Sequence, residues 1–253
     1  MLSAFADASL FGERTGAEPL RVLALHGWGR SHVDFDQVLA PAGQVPIDGV
    51  ALDLPGFGAT PAPDRPFSSM DYAHAIAPVL DEAAEPVVVV GHSHGGRVAL
   101  CLASIQPDSI KGIVLVASPI LRRKDGAKPS LRYRAIRAAH RVHLISDDRF
   151  EAIRRRAGSS DYAAATGVMR DTLVTVVNES FEPELAALHC PVVLVWGSED
   201  TAVPLEVAER ARAIIAGSAS GATVSLTVLD GVGHLIPTTS PTAVRAAIEG
   251  LLA

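Results

Sequence analysis

Four consecutive valines, Val87 to Val90, run straight into Gly91-His92-Ser93-His94-Gly95-Gly96 and then an Ala-rich stretch. A run that is apolar at every position cannot keep one face in water, so it predicts a strand buried on both faces, as in a parallel sheet. The G-x-S-x-G turn between such a strand and a helix is a nucleophile elbow, in which Ser93 rises above the strand end in a strained backbone conformation. Flanking glycines leave room where a side chain would clash. The free N–H groups and partial positive charge of the helix start would face the same space. A Gly-rich turn of this kind can instead cradle a phosphate, but no Lys or second Ser/Thr stands where a P-loop needs one.

The rest of the chain repeats the pattern of short β-branched runs followed by Ala-rich stretches of helical period. Strands are predicted at Arg21–Leu25, Gly49–Asp53, Pro86–Gly91, Ile110–Ala117, Pro191–Trp196 and Thr223–Leu229, with helices at about 33–40, 68–83, 95–106, 204–216 and 240–252. Residues 1–18 are expected to add one or two antiparallel edge strands. The fold class is therefore α/β, a mostly parallel sheet of about seven or eight strands flanked by helices. The alternation stops after the sixth strand. Residues 119–184 read as a helical insertion, leaving 1–118 and 185–253 as the core domain.

A serine hydroxyl is almost wholly protonated at neutral pH and needs a base within hydrogen-bond reach. His234, in Asp230-Gly231-Val232-Gly233-His234, follows the last strand and so belongs to the same sheet edge as Ser93. His140, His143 and His189 read as surface or capping residues, and His26 and His92 as partners of the backbone in tight loops. For the carboxylate that orients the base, Asp200 in Trp196-Gly197-Ser198-Glu199-Asp200 is favoured, with Glu199 its neighbour in contention and Asp230 behind both. The strand before it ends in Ala117-Ser118-Pro119, which offers no acid. Leu25-His26-Gly27-Trp28-Gly29 would bring the Trp28 backbone N–H toward Ser93, and the His94 N–H would complete an oxyanion hole for the tetrahedral intermediate.

Composition narrows the partners. A net charge of −6 gives no support to nucleic-acid binding. Cys101 and Cys190 have neither disulfide-framework nor zinc-ligand spacing, so no metal is expected. No basic, apolar leader and no spanning run stands out, which makes a cytoplasmic protein without membrane contact the expectation. Charge is nonetheless uneven: residues 119–180 hold 13 Lys/Arg and 7 Asp/Glu, against 9 and 21 in the remainder.

His26-Gly27-Trp28-Gly29, Asp53-Leu54-Pro55-Gly56-Phe57-Gly58, the elbow, Trp196-Gly197 to Asp200, and Gly233-His234 together resemble the α/β-hydrolase superfamily over nearly the whole chain outside the insertion. The resemblance implies that residues 119–184 form a lid over the site and that Asp53 to Gly58 is a structural loop beside it. Within the superfamily the H-G-W-G and D-L-P-G-F-G pair is similar to that of pimeloyl-acyl-carrier-protein methyl ester esterases. Those enzymes usually carry Trp and Leu where this chain has His92 and His94. Their likeness implies that the Arg-rich insertion (Arg132, Arg134, Arg137, Arg141 and Arg154 to Arg156) could meet an acidic carrier protein; a solvated helical face is the plainer reading.

These residues lead to the expectation of a cofactor-free serine hydrolase acting on a small-molecule ester or thioester through Ser93, His234 and Asp200. The same constellation serves C–C, lactone or amide hydrolysis, and the fold can serve as a ligand-binding receptor. Relatives that use Asp as nucleophile are disfavoured by Ser93.

Overall fold

In the computed structural model the valine run alternates between two cores. Val87 and Val89 face a cluster on one side of the sheet and Val88 and Val90 a cluster on the other, all four without solvent exposure. That is the two-faced burial expected of a central parallel strand. The structure describes residues 2–17, 19–122 and 160–253, with four isolated positions between.

Eight strands form one sheet: β1 (Leu2–Phe5), β2 (Leu10–Thr15), β3 (Val22–Leu25), β4 (Gly49–Asp53), β5 (Val87–His92), β6 (Ile110–Val116), β7 (Val192–Gly197) and β8 (Val224–Leu229). Their order is β1-β2-β4-β3-β5-β6-β7-β8. β1 and β2 pair antiparallel at one edge, and every pairing from β4 to β8 is parallel. The chain belongs to an α/β architecture whose two antiparallel strands, β1 and β2, come from the N-terminus, as the sequence indicates.

The helices described are α1 (Asp36–Leu39), α2 (Ser69–Ile76), α3 (His94–Ile105), α4 (Ser160–Ala164), α5 (Gly167–Val176), α6 (Glu182–Ala186), α7 (Leu205–Ala216), α8 (Ile236–Thr239) and α9 (Pro241–Leu252). Two predicted helices are broken. A 3-10 turn at His32–Phe35 precedes α1, and another at Ala77–Glu82 continues α2, where Pro78 follows the end of the α-helical register. α2 begins on a capping box in which Ser68 and Asp71 satisfy each other's backbone N–H groups. No described helix is long and apolar enough to cross a membrane.

Strand order places the site. From β3 the chain moves outward to β4, then returns past β3 to β5, so the connections diverge between the carboxyl ends of β3 and β5. In open α/β sheets the crevice outside such a divergence is where ligands bind. The loop after β3 and the turn after β5 therefore face each other there.

The chain leaves the sheet at Val116 and re-enters at Val192. Of that segment, α4, α5 and α6 are described; Arg132, Arg134, Arg137, Arg154 to Arg156, His140 and His143 lie outside the described residues. α5 sits against the Gly56 turn and the chain just before α2. The Phe67 N–H donates to Thr172 Oγ1 at 3.1 Å, Ser69 donates through both N–H and hydroxyl to the Glu179 carboxylate, and the Met169 side chain lies against Gly56.

Candidate active site

Ser93 stands between β5 and α3 at φ 50° and ψ −113°, a positive-φ conformation that a serine adopts only when its surroundings enforce it. Here they do so by close packing. A Cβ on Gly91 would overlap the Gly95 carbonyl, one on Gly95 the Leu25 carbonyl, and one on Gly96 the Ser118 hydroxyl. The Ser93 N–H donates to the Val116 carbonyl oxygen at 2.9 Å, tying the turn to β6. The serine is half-buried, with its hydroxyl at the crevice.

His234 Nε2 lies 3.1 Å from Ser93 Oγ, and its Nδ1 lies 2.8 Å from Asp200 Oδ2. A carboxylate accepts, so Nδ1 carries the ring proton and Nε2 offers its lone pair to the serine hydroxyl. Asp200 has no exposed side-chain surface, and its Oδ1 accepts the Ala202 and Val203 N–H groups at 2.9 and 2.8 Å. The turn that supplies them is pinned from beneath, since the buried Trp196 indole donates to the Val203 carbonyl oxygen at 2.9 Å. Geometry thus separates the three acids. Glu199 is exposed, with its N–H on the Val232 carbonyl oxygen, and Asp230 accepts the Ser198 hydroxyl at 3.3 Å.

The loop after β3 comes against Ser93. A Cβ on Gly27 would lie 3.3 Å from Ser93 Cβ. Trp28 is the next residue, and His94 is the first of α3, where N–H groups have no intrahelical acceptor. The Trp28 ring packs edge-on against Phe57 and His94, with centroids 4.9 and 5.6 Å away. The His94 ring also meets Tyr72, 4.9 Å away, and both its nitrogens are buried without a hydrogen-bond partner among the described residues. Burial therefore pushes its pKa well below the ordinary histidine value, with the Arg97 charge adding to the shift.

His26 does what its tight loop suggests. Its Nδ1 donates to the Gly27 carbonyl oxygen at 2.7 Å and its Nε2 accepts the Leu54 N–H at 3.0 Å. His92 likewise meets the backbone, through Nε2 on the His234 carbonyl oxygen at 2.9 Å. His189 is exposed ahead of β7. Asp53 holds the loop beside the site: its buried carboxylate accepts from the His32 and Ala59 N–H groups and from His32 Nδ1, all at 2.8 Å. Gly58, at φ 54°, presses on that carboxylate where a Cβ would overlap it. The clamp joins residues 21 positions apart, so only the D-x-x-G-x-G spacing of Asp53, Gly56 and Gly58 hinted at it.

Among the described residues no three His, Cys, Asp or Glu side chains cluster so as to hold a metal ion.

A serine on a strained strand-to-helix turn, a histidine on the final loop and a carboxylate after the preceding strand define a hydrolase-type site on a parallel sheet. The chain belongs to the alpha/beta hydrolase family, whose defining pattern matches residues 22–247. It is 33% identical over 223 residues to a pimeloyl-[acyl-carrier protein] methyl ester esterase of Chromobacterium violaceum, covering 78% of this chain and 82% of that one. Lipase LipV of Mycobacterium tuberculosis is 29% identical over 262 residues, covering 92% and 94%. Among solved structures, an esterase from Exiguobacterium antarcticum superposes with a TM-score of 0.73 over 100% of this chain and 99% of that one, at 17% identity, a likeness of fold.

Proposed function

We propose that the protein hydrolyses a carboxylic ester or thioester through Ser93, His234 and Asp200. The observation that carries this reading is the unbroken line from Asp200 Oδ2 through His234 to Ser93 Oγ, at 2.8 and 3.1 Å. Ser93 Oγ attacks the acyl carbon while His234 Nε2 takes its proton. The carbonyl oxygen gathers negative charge, which the backbone N–H groups of Trp28 and His94 stabilise; one such donor is commonly worth about 3–4 kcal/mol. Collapse expels the alkoxide or thiolate, which leaves with the proton held by His234. Water, deprotonated by the same histidine, then attacks the acyl-enzyme and releases the acid.

Residues 119–184 are proposed as a lid. Contacts of α5 with Gly56 and Phe67, and of Glu179 just beyond it with Ser69, support this, since they set the segment beside the loop that flanks the site. Its surplus of Arg and Lys, and the carrier-linked substrate named for the Chromobacterium relative, favour an acidic acyl carrier as the natural presenter of substrate.

A fluorophosphonate probe is expected to label the wild type and not Ser93→Ala, with matching loss of p-nitrophenyl ester turnover. Turnover of esters by Ser93→Ala at the wild-type rate would refute the assignment. The carrier reading predicts that a carrier-linked ester outpaces its free methyl ester and loses that advantage as salt rises. Equal rates without salt dependence would remove it.

A further inference from the structure

Two histidines flank the nucleophile, and the structure gives them opposite neighbours. His94 meets Trp28 and Tyr72, whereas His92 packs against His234 with ring centroids 5.0 Å apart. His92 Nε2 lies 2.9 Å from the His234 main-chain oxygen. A carbonyl only accepts, so Nε2 carries the ring proton and Nδ1 keeps a lone pair. Nδ1 is buried without a hydrogen-bond partner and faces Gly27, where a Cβ would stand 3.0 Å away. One ring therefore touches the loop of the base and the loop that precedes Trp28, while its own backbone belongs to the elbow. Burial pushes the His92 pKa down to about 4, which keeps the ring a neutral single donor.

The base needs such a tie. His234 stands on the loop between β8 and α8, where Gly231 is at φ 68° and Gly233 has open space around it. Asp200 fixes the ring at Nδ1, but the main chain from which the ring hangs is fixed at its oxygen, which accepts from His92 and from the Ile236 N–H at 3.0 Å. Ile236, two residues on, opens α8, so that bond stays within the local turn. His92 is the tie that reaches across to the nucleophile strand.

We propose that His92 is a positioning residue: by donating from Nε2 to the His234 carbonyl oxygen, it sets where the His234 imidazole stands relative to Ser93 Oγ. The proposal rests on the Ser93-His234-Asp200 reading above. His92 acts through His234 and takes no part in proton transfer itself, so its loss is expected in kcat rather than in substrate affinity.

The test compares His92→Gln, whose amide nitrogen falls near the place of Nε2, with His92→Asn, whose amide nitrogen falls near Nδ1. Steady-state kinetics on a p-nitrophenyl ester, fluorophosphonate inactivation rates and thermal melts are measured for both. His92→Gln is expected to keep kcat within about threefold of wild type, and His92→Asn to lose about tenfold or more with KM within about twofold. Inactivation rates should follow kcat. The proposal is overturned if His92→Asn keeps the wild-type kcat, or if His92→Gln is as slow as His92→Asn while both melt near the wild type. Should His92→Asn not fold, His92→Gln decides alone: a tenfold loss of kcat in a folded protein overturns the proposal. A wild type that neither reacts with the fluorophosphonate nor turns over esters refutes the triad reading itself, a result distinct from all of these.

Discussion

The guanidinium of Arg97, buried on α3 four residues beyond Ser93, donates from Nη1 to the Val176 carbonyl oxygen at 2.8 Å, and from Nε to that of Pro119 at 2.9 Å. Both carbonyls belong to the segment between β6 and β7, so one side chain clasps two distant points of it to α3, the helix that follows Ser93. A Phe181 N–H to the Ile120 carbonyl oxygen, 2.9 Å, closes the same neck. Burial lowers the Arg97 pKa to about 10, which leaves it charged at any working pH.

Replacing Arg97 by Met keeps the apolar stem and strands two acceptors. The expected loss of stability is about 2–4 kcal/mol, from two charge-assisted bonds whose acceptors, the buried Val176 and part-buried Pro119 carbonyls, lose their partner. Arg97→Lys, which can serve one carbonyl well, should fall between. Urea unfolding of the three proteins checks the order, and equal midpoints would show that the clasp contributes nothing.

Asp200→Asn leaves the shape of the acid loop and changes which way its hydrogen bonds run. An amide nitrogen toward His234 Nδ1 favours the tautomer with the proton on Nε2, where it faces Ser93 and cannot accept. kcat on a p-nitrophenyl ester is expected to drop about 10³- to 10⁴-fold. A loss under tenfold, in a protein with an unchanged melting temperature, would show that the carboxylate at 2.8 Å does not govern the base.

The elbow could be read from the chain because all its determinants are local: a four-valine strand, three glycines and a serine within ten residues. The choice among Glu199, Asp200 and Asp230 could only be favoured, since all three follow strands that end at the same edge. What separates them is burial and the Ala202 and Val203 N–H groups, which depend on how the turn over Trp196 closes. Arg97, Glu179 and the His92 tie were out of reach for another reason. They join residues 79, 110 and 142 positions apart, and no periodicity carries such a pairing. The helix expected at 33–40 opens as a 3-10 turn at His32–Phe35 and is α-helical over Asp36–Leu39 alone, a change of winding within one apolar run that periodicity does not encode.

Buried neutral histidines make stability depend on pH. Burial lowers His26 and His92 from the ordinary 6.5 to about 4, so between those values the unfolded chain binds protons that the folded one refuses. Their contribution is complete above about pH 6.5 and is lost as pH falls toward 4, by up to roughly 3 kcal/mol for each residue. Denaturant midpoints taken from pH 7 to pH 4 should therefore decline. His26→Gln, whose side-chain amide reaches the place of Nε2 and can accept the Leu54 N–H, is expected to flatten that decline, and an unchanged slope would remove His26 from the explanation.

His94 and Tyr72 are packed ring to ring, 4.9 Å apart, and differ in one respect. The Tyr72 hydroxyl donates to the Pro55 carbonyl oxygen at 3.1 Å, whereas neither His94 ring nitrogen has a partner among the described residues. A buried polar atom without a partner forfeits its hydration and regains nothing, so its removal releases strain on the fold. His94→Leu, which keeps the backbone N–H and a similar volume, is expected to raise stability by about 1–3 kcal/mol. Tyr72→Phe removes a satisfied hydroxyl from the same shelf and leaves the Pro55 oxygen bare, so it should lower stability by about 1 kcal/mol. Thermal melts of the two variants beside the wild type test the opposition in sign; a His94→Leu protein that melts lower would mean that the imidazole has a partner that its neighbours do not supply.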